Sequence, residues 1–140
     1  MPTILNPYLN FRGNAREAVE FYHSVLGGEL NISTFKELGG SSGPADDDLI
    51  MHSQVSGTTG LVIMCSDVPE HMTYAVGDHD FSVSLSGDGE AELTGYWDKL
   101  SEGATIEQPL TKAPWGDTFG MLRDRFGVSW LVNISGAPAA

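Results

Sequence analysis

The chain has 140 residues and a mass of 15.0 kDa, which is the size of one ordinary domain. Hydrophobic residues make up 41% and charged residues 19%, so the chain can bury a core without disulfides or a structural metal. Nineteen acidic against seven basic side chains give a formal charge of -12, which argues against nucleic acid and membrane as partners. The lone Cys65 excludes an internal disulfide and zinc sites with several thiolates.

Targeting and membrane segments are not expected. The first seven residues lack the basic region and apolar stretch of a secretory signal. The longest apolar runs, such as residues 61–65, are far shorter than the ~20 residues that a membrane-spanning helix needs. We therefore expect a cytoplasmic protein.

The first predicted elements are a strand over residues 7–11 and a helix that begins after Asn14. Asn14 is a favourable N-cap, and Glu17 stands where a capping-box carboxylate belongs. Gly27 and Gly28 end the helix, because glycine adopts the left-handed C-cap conformation at little cost. The apolar positions predict one buried helix face, formed by Ala15, Ala18, Val19, Tyr22 and Leu26 and widened by Phe21 and Val25.

Three further strands complete a first module. We predict a strand over residues 29–37, a glycine-rich loop over 39–44, and a solvated acidic run at 46–48. Strands over residues 49–55 and 61–65 follow, joined by a tight turn at 56–60. Residues 66–78 then connect this module to the rest of the chain.

The second half repeats this order. A strand is predicted over residues 81–85, and a helix that ends at Gly103 carries its apolar residues at helical spacing. A constant offset of 74 aligns Gly13 with Gly87 and Tyr22 with Tyr96, and an offset of 67 later aligns the segments that begin at residues 60 and 127. The repeat predicts an α+β fold with two βαβββ modules, over about residues 3–67 and 79–135, in a single domain spanning residues 1–140.

The common motifs for phosphate binding and nucleophilic catalysis are missing. The segment from Gly87 to Gly89 resembles half of a dinucleotide fingerprint, but Glu92 occupies the place of the third glycine. We interpret this segment as a helix entry whose acidic first turn favours the helix dipole. The sequence contains no P-loop, and no strand-to-helix GxSxG elbow is predicted.

Two regions contain candidate functional residues. His52 lies in a predicted strand, where pleating would place it on one face with Ile50 and Gln54; a hydrogen-bonded core histidine and a functional one remain equally open. Aromatic residues and glycines crowd residues 114–120 and 124–130, which indicates either the walls of a ligand site or a tightly packed hairpin. Trp115 and Asp117 are the better ligand candidates there, whereas packing explains Phe126 and Trp130.

These residues carry a specific resemblance over nearly the whole chain. The sequence resembles the PhnB-like family of the vicinal oxygen chelate superfamily, which includes glyoxalase I, bleomycin-resistance proteins and extradiol dioxygenases. The resemblance implies a curved mixed sheet of paired βαβββ modules around a cleft, assembled as a homodimer. The matching segments are residues 8–15, Glu17-Ala18, Phe21-Tyr22, residues 27–29, His52, Met64, Ser66-Asp67, residues 115–117 and residues 124–130.

The resemblance does not extend to the superfamily's metal sites. Metal-dependent members place His, Glu or Gln ligands on the first and last strands of each module, whereas the first strands here offer Tyr8, Asn10, Ser82 and Ser84. His52 is the one strong strand-borne donor, and one histidine does not make a site. We therefore expect no cofactor and no catalytic metal. The family has also been labelled a demethylubiquinone methyltransferase, but this chain lacks the nucleotide-binding sheet and glycine-rich loop that such an enzyme would need.

Three functions follow as expectations. The first is a small-molecule-binding protein without a metal. The second is an isomerase or lyase in which His52 is the general base and Asp117 orients it or acts as the acid. The third is a regulatory or structural dimer whose cleft is filled by its own side chains. The expected ligand site of the first function is lined by Tyr8, His52, Met64, Trp115, Asp117 and Phe119.

Overall fold

The computed structural model describes residues 5–41, 43–69 and 82–136, and the chain divides into two compact units, Met1–Val76 and Gly77–Ala140. The first unit consists of β1 (Tyr8–Phe11), α1 (Ala15–Leu26), β2 (Glu29–Thr34), β3 (Ile50–Ser56) and β4 (Val62–Asp67), with a short 3-10 turn at Thr58–Gly60. The second unit consists of β5 (Val83–Gly87), α2 (Glu90–Leu100), β6 (Thr105–Lys112), β7 (Thr118–Arg123) and β8 (Ser129–Ile134). The predicted α+β fold of two βαβββ modules is confirmed.

Each unit contains one four-stranded mixed sheet. The strand orders are β1-β4-β3-β2 and β5-β8-β7-β6. The first strand of each unit is parallel to the last, and the remaining pairs are antiparallel. A single helix packs on each sheet, so each sheet has one face against its helix and one face opposite it.

The helix faces agree with the predicted apolar stripes. In α1 the buried residues are those of the predicted face together with Val25, while Phe21 is half-buried. In the second unit Leu93, Tyr96, Trp97 and Leu100 are buried as predicted. Gly120 of β7 lies directly beneath the Trp97 indole, because a Cβ at Gly120 would stand 2.7 Å from the ring.

Asn14 occupies the N-cap position of α1, as predicted. Asn14 makes no side-chain cap hydrogen bond, and the carboxylate of Asp67 caps the helix instead. Asp67 Oδ1 accepts hydrogen bonds from the backbone N–H groups of Gly13 (2.7 Å) and Ala15 (3.1 Å). Because β4 lies beside β1, it delivers a buried negative charge to the positive end of the helix dipole. Asp67 Oδ2 also accepts the N–H of Ile50 at 2.9 Å, which ties the start of β3 to the same carboxylate.

A bulge in β3 overturns part of the predicted placement of His52. Ser33 of β2 pairs with His52, whereas Thr34 pairs with Ile50, so Met51 is an extra residue. The extra residue shifts the alternation by one position. As a result Ile50 is fully buried, and His52 shares the opposite face with Gln54 alone of its two predicted neighbours.

Other elements differ from the sequence predictions in their boundaries or burial, for local reasons. Strand β2 ends at Thr34 because Thr34 and Glu37 form reciprocal hydrogen bonds, with the Thr34 hydroxyl 3.0 Å from Glu37 Oε1 and the Glu37 N–H 3.2 Å from Thr34 Oγ1. Asp46, predicted to be solvated, is buried within a turn in which its N–H reaches the Gly43 carbonyl. Strand β4 continues to Asp67, into the predicted connection. The rest of that connection from residue 70, the start of the predicted strand at residue 81 and the start of the second repeat at 79 lie outside the described residues.

Candidate functional site

The sheet face opposite α1 is polar. Strand register aligns Ser33 with His52, Gln54 with Met64, and Met64 with Tyr8 across this face. The half-buried His52 ring lies beside the 46% exposed Tyr8 ring, with centroids 6.0 Å apart and an interplanar angle of 37°. The three first-unit residues predicted to bind a ligand, Tyr8, His52 and Met64, therefore share one accessible surface.

This polar face offers hydrogen-bonding groups rather than a strong set of metal donors. Asn10 pairs with Ser66 in the register, and the Ser66 hydroxyl donates to Asn10 Oδ1 at 3.3 Å. The Gln54 amide donates to the Ser56 hydroxyl at 2.9 Å. Within the described residues, no group of three or more His, Cys, Asp or Glu side chains converges on one point. One imidazole among neutral hydroxyl and amide oxygens is a weak set of donors for a divalent metal.

The second unit contains a cavity of about 340 Å³ on the sheet face opposite α2. Cross-strand pairing places Gln108 beside Met121 and Thr111 beside Phe119, with all four side chains on the cavity wall. The remaining wall comes from the β6–β7 connection. The lining residues are Gln108, Thr111, Lys112, Ala113, Pro114, Trp115, Phe119 and Met121.

A tight turn presents Trp115 at the tip of the β6–β7 hairpin. The Gly116 N–H donates to the Ala113 carbonyl at 3.0 Å, and Pro114 occupies the second position of this turn. Gly116 has φ +102°, a conformation that favours glycine, and it leads the chain back into β7. Trp115 remains 68% exposed, so an indole face is available beside the cavity.

Asp117 fastens this hairpin tip to the chain that follows β8. Its Oδ1 accepts the Gly136 N–H at 2.9 Å, and its Oδ2 accepts the Asn133 side-chain amide at 3.1 Å. The Gly136 N–H, then the Asn133 amide and, less strongly, the Trp115 indole lower the pKa of Asp117 below its usual 3.8. A side chain at Gly136 would collide with the Gly116 carbonyl, so the contact requires glycine.

The second aromatic segment is organised by Asp124. Its Oδ1 accepts the N–H groups of Phe126 (2.8 Å) and Val128 (3.0 Å), and its Oδ2 accepts the Trp130 indole N–H at 2.8 Å. Asp124 and Trp130 are both buried. This segment is therefore a packed turn between β7 and β8, which agrees with the prediction that packing explains Phe126 and Trp130.

The predicted site residues divide between the two units. Tyr8, His52 and Met64 belong to the first unit, while Trp115, Asp117 and Phe119 belong to the second. Trp115 and Phe119 line the cavity, and Asp117 supports its rim. The pairing of His52 with Asp117 stays a prediction. Sequence reasoning missed five lining residues, because strand pairing and the hairpin turn bring them together and no local pattern marks them: Gln108, Thr111, Lys112, Ala113 and Met121.

Comparison with known proteins agrees with this architecture. The family described as 3-demethylubiquinone-9 3-methyltransferase matches residues 3–133. The crystal structure of PA1353 from Pseudomonas aeruginosa is 38% identical, with a TM-score of 0.78 over 96% of this chain and 98% of that chain. A PhnB protein from Bacillus cereus, also described as a 3-demethylubiquinone-9 3-methyltransferase, is 27% identical, with a TM-score of 0.69 over 95% and 100% of the two chains.

A more distant structure shares the fold alone. The glyoxylase/bleomycin resistance protein/dioxygenase domain from Frankia sp. EAN1pec is 14% identical, with a TM-score of 0.67 over 100% of this chain and 96% of that chain. Within the described ranges, no helix is long and apolar enough to cross a membrane. The resemblance seen in the sequence is confirmed: the chain belongs to the PhnB-like family described as 3-demethylubiquinone-9 3-methyltransferase, and its modules have the glyoxalase/bleomycin resistance/dioxygenase fold.

Proposed function

We propose that this protein binds a small molecule and does so without a catalytic metal. The observation that carries the proposal is the cavity of about 340 Å³ in the second unit. Its size falls within the range of roughly 300–1,000 Å³ that is usual for ligand sites, and it combines aromatic walls with a few polar groups. Trp115, Phe119 and Met121 supply apolar surface, while Gln108 and Thr111 supply hydrogen-bonding groups.

The rigidity of the hairpin tip supports binding over a purely structural role. The Asp117 carboxylate holds the tip against Gly136 and Asn133, so the wall that carries Trp115 is organised before a ligand arrives. A wall that is already organised loses less conformational entropy when it binds.

The polar face of the first unit is proposed as a second recognition surface. His52 and Tyr8 lie in ring contact, and Met64 pairs with Tyr8 across β1 and β4. A phenol and an imidazole can each donate or accept a hydrogen bond, and the Met64 thioether adapts to irregular apolar shapes. This surface suits a ligand that has both polar and apolar parts.

A thermal-shift screen of the full chain against small metabolites and antibiotics, followed by variants, tests the binding proposal. A compound at a hundredfold its dissociation constant should add ~2.7 kcal/mol to the free energy of unfolding. Trp115→Ala should abolish or strongly reduce the shift. Ile106→Ala is the matched control, because Ile106 is an exposed apolar residue of β6 that does not line the cavity.

Two results would refute the binding proposal. One is a complete screen in which no compound raises the melting temperature of the native chain. The other is a set of hits whose shifts are the same in Trp115→Ala and in Ile106→Ala. A shift produced by divalent metal ions alone would instead overturn the expectation that no metal takes part.

Enzymatic activity is the alternative function, and the placement of His52 supports it. An imidazole on an accessible polar face, in contact with a tyrosine ring, can take a proton from a bound substrate in an isomerase or lyase reaction. Asp117 suits an orienting role better than that of a general acid, because its lowered pKa keeps it ionised near neutral pH. Turnover of a screening hit that disappears in His52→Gln while binding persists would establish this alternative.

The methyltransferase activity in the family's description is not part of the proposal. The strand-to-helix turn of the first unit uses the Gly13 and Ala15 N–H groups to bind Asp67, rather than leaving them for a cofactor. Each sheet also contains one parallel pair, unlike the mostly parallel sheets that bind nucleotides. Calorimetric titration with S-adenosylmethionine should give no heat of binding. Saturable binding would instead make methyl transfer the favoured function.

A homodimer is proposed as the assembly, because the family resemblance implies one. Light scattering coupled to size-exclusion chromatography should give twice the chain mass of 15.0 kDa. A monomeric mass across the working concentration range would refute this proposal without affecting the proposed ligand cavity.

A further inference from the structure

We propose that the cavity of the second unit binds a planar aromatic compound that carries a carboxylate. This inference rests on the proposed function and adds the chemical class of the ligand. It is carried by the combination of one aromatic wall, one cation and two hydrogen-bonding side chains around the same space.

The aromatic preference comes from three side chains. Trp115 is 68% exposed at the hairpin tip, and Phe119 and Met121 are half-buried on the neighbouring strand β7. Indole and phenyl rings favour stacked or edge-to-face contact with another ring, and the methionine thioether packs well at a ring edge. A planar ring that enters the cavity can therefore contact apolar surface from the hairpin tip and from the sheet.

The charge preference comes from Lys112. Of the described residues that line the cavity, Lys112 alone carries a formal charge, and it lies at the end of β6 where the hairpin turn begins. This local charge is opposite to that of the chain, whose formal charge is -12. A cationic ligand would be repelled by the lysine ammonium at close range, whereas a carboxylate would pair with it.

Two neutral side chains can complete carboxylate recognition. The Gln108 amide nitrogen lies 3.3 Å from the Pro109 carbonyl and 3.5 Å from Thr111 Oγ1, and the Thr111 hydroxyl lies 3.4 Å from the same carbonyl. These distances are at the long limit for hydrogen bonds, so little is lost when the donors turn towards a ligand. An amide N–H and a hydroxyl are then available on the same cavity wall as Lys112.

The nearby Asp117 carboxylate does not reverse this preference. Both of its oxygens already accept hydrogen bonds, from the Gly136 N–H and the Asn133 amide. It is not a lining residue of the cavity. These donors and the Trp115 indole partly offset its charge, and its effect on the ligand is to hold the Trp115 wall in position.

A matched series of probes tests the ligand class on the full chain. Naphthoate, naphthamide and naphthylmethylammonium present the same ring system with a negative, a neutral and a positive substituent. Calorimetry at neutral pH should show that naphthoate binds about three- to fivefold more tightly than naphthamide, as expected for one partly exposed ion pair, and that the ammonium compound binds most weakly.

Variants then separate the charge from the aromatic wall. Lys112→Met should remove the preference for naphthoate over naphthamide and leave naphthamide affinity unchanged. Lys36→Met is the control, since Lys36 is an exposed lysine of the first unit, and it should preserve the preference. Trp115→Ala should weaken all three probes.

The outcomes distinguish this inference from the function on which it rests. Equal affinity for the three probes, or a naphthoate preference that survives in Lys112→Met, overturns the ligand class. If Trp115→Ala nevertheless weakens all three probes, the proposed binding function stands. Probe affinities that are unchanged in Trp115→Ala overturn both the ligand class and the binding function. The absence of binding by any probe, together with a negative metabolite screen, also overturns both.

Discussion

Replacement of Asp124 should destabilise the second unit more than any exposed acidic substitution. The buried Asp124 carboxylate accepts hydrogen bonds from two backbone N–H groups and from the Trp130 indole. In Asp124→Ala the three donors lose this acceptor inside the packed β7–β8 turn. Asp124→Asn retains one oxygen but turns an amide donor towards either the indole or the backbone donors.

The magnitudes follow from the number of bonds lost. A hydrogen bond to a charged group is worth about 1.5–3 kcal/mol, and the losses within one cluster are not additive, so Asp124→Ala should cost about 3–5 kcal/mol. Asp124→Asn should cost about 1–3 kcal/mol, because one interaction is replaced by a donor facing a donor. At about 3 °C per kcal/mol for a chain of this length, the alanine variant should melt about 9–15 °C below the native protein.

Urea denaturation followed by tryptophan fluorescence is a direct assay. The chain's three tryptophans, Trp97, Trp115 and Trp130, all belong to the second unit, so the signal reports on the unit that is perturbed. Asp98→Ala is the control, since Asp98 is exposed on α2. An Asp124→Ala loss below about 1 kcal/mol, or one no greater than that of Asp98→Ala, would refute the reasoning.

Three further predictions concern the other close contacts. Asp67→Ala should lower the unfolding free energy of the first unit by about 2–4 kcal/mol in urea melts followed by circular dichroism, and a loss below about 1 kcal/mol would contradict this. Gly136→Ala should displace the hairpin tip by collision with the Gly116 carbonyl and reduce the affinity of screening hits. Gly95→Ala, whose Cβ meets nothing within 4 Å, should retain affinity and stabilise α2 by about 0.5–1 kcal/mol; equal affinities in the two variants would be the contrary result. The pKa of Asp117 in the folded protein lies below its usual 3.8. The ionised carboxylate therefore stabilises the fold fully above pH 3.8, and this stabilisation is lost as pH falls through the folded pKa. The melting temperature of Asp117→Asn should vary less than that of the native protein over about pH 2–6, and an identical pH profile would contradict the lowered pKa.

The elements that could be predicted are those set by neighbours in sequence. The buried stripe of α1 and its glycine end follow from helical spacing and from the freedom of Gly27 at φ +72°. The duplicated module follows from the order of strands and helices in the two halves. In these cases the determining residues lie within a few positions of one another.

The features that were missed depend on residues far apart in the chain. Asp67 caps α1 through a hydrogen bond to Ala15, 52 positions away, whereas the local candidate Asn14 makes no side-chain cap bond. The buried carboxylate has the advantage because it is charged and is held by the neighbouring strand. The cavity was missed in part for the same reason, since Gln108 and Met121 meet only after β6 pairs with β7.

The family motif from Asp124 to Trp130 shows why resemblance and chemistry must be judged separately. Its seven residues are among the most recognisable in the sequence, and the structure assigns Asp124 and Trp130 to a buried hydrogen-bonded turn. A recognisable motif of this kind is evidence for the fold and does not mark a ligand site. The groups that can meet a ligand, such as Lys112 and Trp115, lie on the adjacent hairpin instead.

The bulge at Met51 has a consequence for how a site on this sheet can change. Because strand residues alternate between faces, one inserted residue reverses which positions before it meet the core. Loss of Met51 would restore unbroken alternation along β3, so Ile50 would stay in the core and His52 would stay on the accessible face. Relatives with and without this extra residue can therefore present an imidazole from the same face of the sheet.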